Sequence, residues 1–409
     1  MAIFDKFAPL KLRSNLVQKL GTDPFGVKFD RILHATRGTI GNREIVLAGT
    51  NNYLGLTFDP DCKDASIKAI EAHGTGTTGS RIANGSYFEH VELEQALAEH
   101  TGMESAIIFS TGFQTNLAAI ATLAGPKDVI FIDADSHACI IDGCRLSAAP
   151  TIRFRHNSPE DLDKRLGRQG EIKDGIALVV IEGMYSMFGD KAPIRKFVEV
   201  CEKHGAYLFI DEAHSYGVFG PTGCGLAEEE GVLDRVDFIS GTFSKSLASI
   251  GGFCLSRHKD FEITRKAMRA YMFTASPTPS NVASARAALE KIKTKPELRE
   301  NLQARSQQLH AGLTDMGFEL CAPPGPILAV RRPNEIVAAI EWNRLLENGV
   351  YVNLAVPPGT PQSSSLLRIS LSAAHTKDDI EFILAALRDL KNNTGEIAGQ
   401  AAEALASLS

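Results

Sequence analysis

The chain has 409 residues, too many for one simple core, so two or more packed domains are expected. Hydrophobic residues make up 44% and charged residues 22%, the balance of a soluble globular protein, and a net charge of −6 argues against nucleic acid as a main partner. No apolar run is long enough to span a bilayer, the opening MAIFDKFAPLKLRSNL has neither an apolar h-region nor a cleavage site, and seven scattered cysteines without CxxC pairs read as reduced thiols. The expectation is a cytoplasmic protein with no integral membrane segment and no metal site.

In chain order, residues 1–47 read as an N-terminal arm with short strands around GTIGNREIVLAG. Residues 48–285 read as a large domain in which short apolar runs alternate with helices. SAIIFS (105–110), DVIFID (128–133), ALVVIEG (177–183), AYLFIDEA (206–213) and VDFISGT (236–242) are the expected buried strands, and KFVEVCEKHG (196–205) has helical spacing. Such alternation predicts an α/β fold with a mostly parallel sheet covered on both faces. Residues 286–392 read as a smaller α+β domain. One or two long helices lead to the strands PILAVR (326–331) and LLRISLS (366–372), with helices over 335–348 and 377–391. Residues 393–409 read as a flexible tail, weakly helical or disordered.

Ligands of parallel sheets collect at the carboxyl ends of the strands, so the polar residues after each run are the candidates. GTFSKS (241–246) puts Lys245 among small hydroxyl residues after a strand. A partly desolvated lysine is a good Schiff-base nucleophile, and Thr242 and Ser244 can bind phosphate oxygens without adding bulk. A surface loop lysine is the other reading. FIDEAHSYGVFG (209–220) ends an apolar strand with Asp211, and His214 follows three residues later. A buried carboxylate needs a partner, and a pyridinium nitrogen would be one. The rival is a helicase-type DEAH box holding magnesium. That reading requires a GxxxxGK phosphate loop ending in Ser or Thr, which this sequence lacks.

STGFQTN (110–116) offers the N–H groups of Gly112 and Phe113 at a helix start, a natural phosphate site and also a common structural turn. DADSHACIIDG (133–143) sets His137 past a strand end, where it can stack on a flat ring or simply cap a helix. GTGTTGSR (74–81) contains a literal GxGxxG, but DASIKAIEAHG before it reads as a helix. The dinucleotide fingerprint needs a strand there, so this is a loop. Arg368, inside LLRISLS, is a buried guanidinium that needs an anion, either a structural carboxylate or that of an amino-acid substrate.

Together with AGTNNYLGL (48–56), GTTGSRIANGSYFEHVELEQAL (76–97), YMFTASPTP (271–279) and DEAHSYGVFGPTGCG (211–225), these motifs make the chain resemble the α-oxoamine synthase family of fold-type I pyridoxal 5'-phosphate (PLP) enzymes, from about residue 20 to 390. GTFSKS, EGMYSMFGD (182–190), RFRHNSPEDLDKRLG (153–167) and YVNLAVPPGTP (351–361) look most like its soluble bacterial serine palmitoyltransferases. The last stretch departs from them at Val356, where they carry a basic residue.

The resemblance implies a fold-type I (aspartate aminotransferase-like) architecture and PLP as cofactor. It implies a homodimer with shared active sites and a decarboxylating condensation of L-serine with a long-chain acyl thioester, palmitoyl on coenzyme A or acyl carrier protein, to give 3-oxosphinganine. The alternative within the family is a glycine C-acetyltransferase, 8-amino-7-oxononanoate synthase or 5-aminolevulinate synthase type. By position, the resemblance makes Lys245 the Schiff-base lysine and acid–base group. Asp211 is then the partner of the pyridine nitrogen, His214 a contact to the ring hydroxyl and His137 the stacking residue. Gly112, Phe113, Thr242 and Ser244 hold the phosphate, Thr274 and Ser276 reach the phosphate of the neighbouring subunit, Ser186 touches the ring, and Asn52 and Arg368 orient the substrate.

Overall fold

In the computed structural model, which describes residues 2–406, a two-residue turn sets the first register. Gly41 and Asn42 both take positive φ, 57° and 64°, the pair of values that a tight hairpin between twisted strands requires. The turn joins β2 (Arg37–Ile40) to β3 (Arg43–Leu47), and β1 (Arg31–His34) pairs antiparallel with β2.

Seven further strands form one sheet: β4 (Ser105–Phe109), β5 (Val129–Asp133), β6 (Thr151–Phe154), β7 (Ala177–Glu182), β8 (Tyr207–Asp211), β9 (Phe238–Thr242) and β10 (Gly252–Ser256). Their spatial order is β4-β10-β9-β8-β7-β5-β6. From β9 to β6 all pairs are parallel, and β10 runs antiparallel to both neighbours. Strands covered on both faces must be apolar throughout, and every residue of β4, β5, β7, β9 and β10 is buried.

Two of these strands escape the sequence pattern. β6 is an edge strand whose TIRF mixes exposed and buried positions. β10 begins in a Gly-Gly run that resembles a loop. Gly252 is needed because a Cβ there would lie 2.4 Å from Thr115 Oγ1 and 2.7 Å from Gly112 Cα.

The connecting helices follow the apolar spacing. Ile194–His204 buries Ile194, Phe197, Val198 and Cys201 on one face. Pro60–His73 precedes GTGTTGSR and no helix starts until Phe88, so the loop reading of that segment holds. The long helical region after residue 279 is two helices, Pro279–Thr294 and Glu297–Asp315, separated at Lys295 and Pro296.

The remaining strands are β11 (Ile327–Arg332), β12 (Val350–Tyr351), β13 (Asn353–Ala355) and β14 (Ser365–Ser370). β11, β14 and β13 make a small antiparallel sheet, while β12 joins β3 in parallel and extends the N-terminal sheet. Residues 394–406, inside the segment expected as a flexible tail, are helical, with Ile397 and Ala401 buried.

The chain divides into two compact units. One gathers the residues up to Tyr53, Met187–Gly189 and those from Glu300 onward; the other holds Leu54–Ser186 and Asp190–Arg299. The N-terminal strands therefore belong with the C-terminal ones. The parallel β3–β12 pairing, Val46 opposite Val350 and Leu47 opposite Tyr351, is what joins them.

Candidate active site

The carboxyl ends of β7, β8 and β9 open onto a cavity of about 370 Å³ in the larger unit. A parallel sheet brings these ends together by register: Glu182 of β7 lies opposite Asp211 of β8, and Asp211 opposite Ser240 of β9. Lys245, Asp211, His214, His137, Gly112, Phe113, Thr242 and Ser244 all line the cavity. Residues from four separate segments of the sequence thus line one cavity.

Thr111 caps the helix Gly112–Leu123, its Oγ1 accepting from Gln114 N at 3.1 Å, and this presents the first amides of the helix to the cavity. Thr242 Oγ1 and Ser244 Oγ lie 2.8 Å apart beside them. Gly112 cannot carry a side chain, because its Cβ would sit 2.6 Å from Thr242 Cβ. Amides at a helix start with two hydroxyls, close-fitted backbone, a lysine and a buried carboxylate are the donor set that a phosphorylated pyridine aldehyde requires. The cavity is also in the range of small-molecule sites. These residues fit PLP.

Asp211 is firmly oriented. Its Oδ1 accepts from Ala213 N at 2.9 Å and its Oδ2 from Asn116 Nδ2 at 2.6 Å. His137 caps the helix Ala138–Ser147, and its main-chain N–H donates to Glu182 Oε1 at 2.6 Å. Burial pushes the His137 ring below the ordinary imidazole range; Asp211 pulls it up and Lys245 pushes it further down. Burial also lifts the Glu182 carboxyl well above its usual range, and the neighbouring Asp211 charge adds to that.

The other expected residues fall elsewhere. Ser186 is not among the cavity-lining residues; it precedes the segment Met187–Gly189. Ser276 is buried and tied to a loop: its hydroxyl meets Thr77 Oγ1 at 2.6 Å and its N–H donates to Gly79 O at 2.9 Å. Thr274 lies two residues before it and is half-buried.

Arg368 is buried in the smaller unit, donating to Ser370 Oγ at 2.7 Å and Asn51 Oδ1 at 3.3 Å. Tyr53 also touches this guanidinium, and burial pushes its phenol up to about 12 while Arg368 pulls it down. Asn52, expected from the sequence as a substrate-orienting residue, is buried next to Asn51 in the same unit.

Among the cavity residues that were not expected, three carry polar or nucleophilic side chains close to Asp211 and His137: Glu182, Asn116 and Cys139. A signal existed for Glu182, since it ends an apolar strand just as Asp211 does. Asn116 sits in a helix, and Cys139 reads from sequence as one more buried thiol. Among the described residues none of the seven cysteines forms a disulfide, and no group of three or more potential metal ligands exists.

A family model described as aminotransferase class I and II matches residues 43–387. A serine palmitoyltransferase of Caulobacter vibrioides is 52% identical over 384 residues, covering 94% of this chain and 95% of that protein. One of Sphingomonas paucimobilis is 47% identical over 374 residues, 91% of this chain and 89% of that protein. A solved structure of SPT with PLP internal aldimine superposes with a TM-score of 0.92 at 45% identity, covering 95% of this chain and 99% of that one.

Proposed function

Since the chain belongs to the aminotransferase class I and II family and, within it, to the serine palmitoyltransferases, we infer that it is a PLP-dependent acyltransferase of fold type I. It condenses L-serine with a long-chain acyl thioester, releases carbon dioxide and yields 3-oxosphinganine, the first step of sphingolipid synthesis. The observation that carries this reading is the convergence of Lys245, Asp211, His214 and His137 on one cavity beside a helix start.

When bound, PLP supplies an electron sink for the carbanion that develops at the α-carbon of serine. The chain's own groups do the rest, and we assign them as follows. Lys245 Nζ would hold the cofactor at its aldehyde carbon, and the same amine would serve as the base for the α-proton of serine. Asp211, held by Asn116 and Ala213, would face the pyridine nitrogen and favour its protonated form. His214 donates toward the phenolic oxygen, and His137 stacks on the ring.

The amides of Gly112 and Phe113 and the hydroxyls of Thr242 and Ser244 bind the phosphate. We further assign Ser186 to the ring, Thr274 and Ser276 to the phosphate of a neighbouring subunit in a homodimer, and Arg368 and Asn52 to the serine substrate, with Arg368 on the carboxylate. Palmitoyl on coenzyme A is the proposed donor. A cytoplasmic setting is also proposed, and seven cysteines outside any disulfide support it.

The test is a panel of amino acids against thioesters of different length and carrier, with products identified by mass and carbon dioxide counted. Serine with palmitoyl-CoA is expected to give the long-chain amino ketone. Turnover confined to glycine with acetyl thioester would move the chain to the glycine C-acetyltransferase type.

A further inference from the structure

Asp211 and His137 are joined through two side chains that have no assigned role of their own in the reaction. Asn116 Nδ2 donates to Asp211 Oδ2 at 2.6 Å and to Cys139 Sγ at 3.1 Å. An amide nitrogen carries two hydrogens, so both bonds form together. Turning the amide over would set Oδ1 against the Asp211 carboxylate. The observed orientation leaves Asn116 Oδ1 buried with no hydrogen-bond partner. The Asp211 charge therefore dictates the direction of the chain of bonds, even at the cost of an orphaned oxygen.

Cys139 Sγ accepts from Asn116 and has one hydrogen to give. Burial lifts this thiol well above its usual range, so it keeps that hydrogen. Its other partner is His137 Nδ1, at 2.8 Å. The main-chain N–H of Cys139 reaches the same nitrogen at 3.2 Å. Two donors converge on Nδ1, which must then be the lone-pair nitrogen of a neutral ring. With Nδ1 accepting from the Cys139 N–H, the ring proton belongs on Nε2, and the desolvation that lowers the ring favours this neutral form.

We propose that Asn116 and Cys139 are positioning residues that lock His137 in its Nε2–H tautomer, so that His137 offers the reaction a hydrogen-bond donor and not a base. The donor suits an anionic or carbonyl oxygen, either the serine carboxylate or the thioester oxygen on which charge develops as the carbanion attacks. That consequence rests on the proposed function; the tautomer does not.

The test is nitrogen-15 NMR of protein labelled at the histidine rings, apo and PLP-loaded, with His137 assigned by its absence in His137→Asn. Wild type is expected to show a protonated Nε2 and an unprotonated Nδ1 in both forms. Cys139→Ala is expected to populate the other tautomer and to lower kcat about five-fold, the worth of one hydrogen bond. Cys139→Ser, which keeps one donor and one acceptor, restores both readings. A proton on Nδ1 in the wild type overturns the proposal whatever the variants do. Unchanged tautomer and rate in Cys139→Ala overturn the role of the thiol. If the alanine variant fails to fold, the wild-type spectrum and the serine variant decide. An Nε2–H ring in a protein inactive on serine and palmitoyl-CoA would support the tautomer and defeat only the proposed function.

Discussion

Glu182 Oε1 receives the main-chain N–H of His137 at 2.6 Å, so the carboxyl group that ends β7 fixes the turn that follows β5. The bond is part-buried, so an N–H left there without an acceptor costs about 1 kcal/mol, the low end of the range for buried donors. Glu182→Ala is expected to lose about that much stability in urea denaturation, whereas Glu182→Gln, which keeps an acceptor oxygen, should lose far less. Equal midpoints for the alanine variant and wild type would mean that His137 finds another acceptor.

Lys245 lines the same cavity as Asp211, and no other lysine among the described residues does. Lys245→Ala should abolish turnover and also the pyridoxyl label left on the protein after borohydride reduction, as read by peptide mass. A labelled, active alanine variant would place the covalent site on a different lysine.

Arg368 presents a planar fork that matches a carboxylate in two bonds, which a lysine ammonium cannot do. Arg368→Lys is expected to raise KM for serine on the order of ten-fold, the equivalent of about 1.4 kcal/mol, with a much smaller effect on KM for the thioester. Equal effects on both substrates would remove Arg368 from the serine carboxylate.

His156 sits between two carboxylates, with Nδ1 2.8 Å from Asp133 Oδ1 and Nε2 2.8 Å from Asp190 Oδ2. Burial pushes the ring down, but the two hydrogen bonds and charges outweigh it and raise the ring from 6.5 to about 10. A base raised in the folded state adds stability in full below pH 6.5, and that stability is lost as pH rises through 10. The Tm gap between wild type and His156→Gln should therefore be widest near pH 6 and shrink steadily on the alkaline side. A gap that widens with pH would show that the ring is neutral when folded.

His375 behaves in the opposite sense. Burial pushes its ring down to about 4, and its Nδ1 accepts from Ser372 N at 2.9 Å. A depressed base adds stability above pH 6.5 that is lost as pH falls toward 4. His375→Gln should accordingly lose less stability than wild type between pH 6.5 and 4 in thermal melts. Parallel acid profiles would assign the acid sensitivity to other groups.

The sequence by itself determined the strands and the charged ends they carry. SAIIF, VIFID, ALVVIE, YLFID and FISGT are apolar because a parallel sheet covered on both faces has no wet side, so pattern alone finds them. Asp211, His214 and Lys245 were readable for the same reason, because a charge directly after such a run stands out. Only the tertiary structure decided what stands behind those groups. Asn116 is 95 residues from Asp211 in the chain, and the packing of its helix against the sheet makes them neighbours. Asn51 is 317 residues from Arg368 in the chain, and the pairing of Gly49 with Ser370 brings the two within reach. Local pattern records burial and period; which distant side chains share a hydrogen bond is a matter of register and docking, which no local pattern encodes.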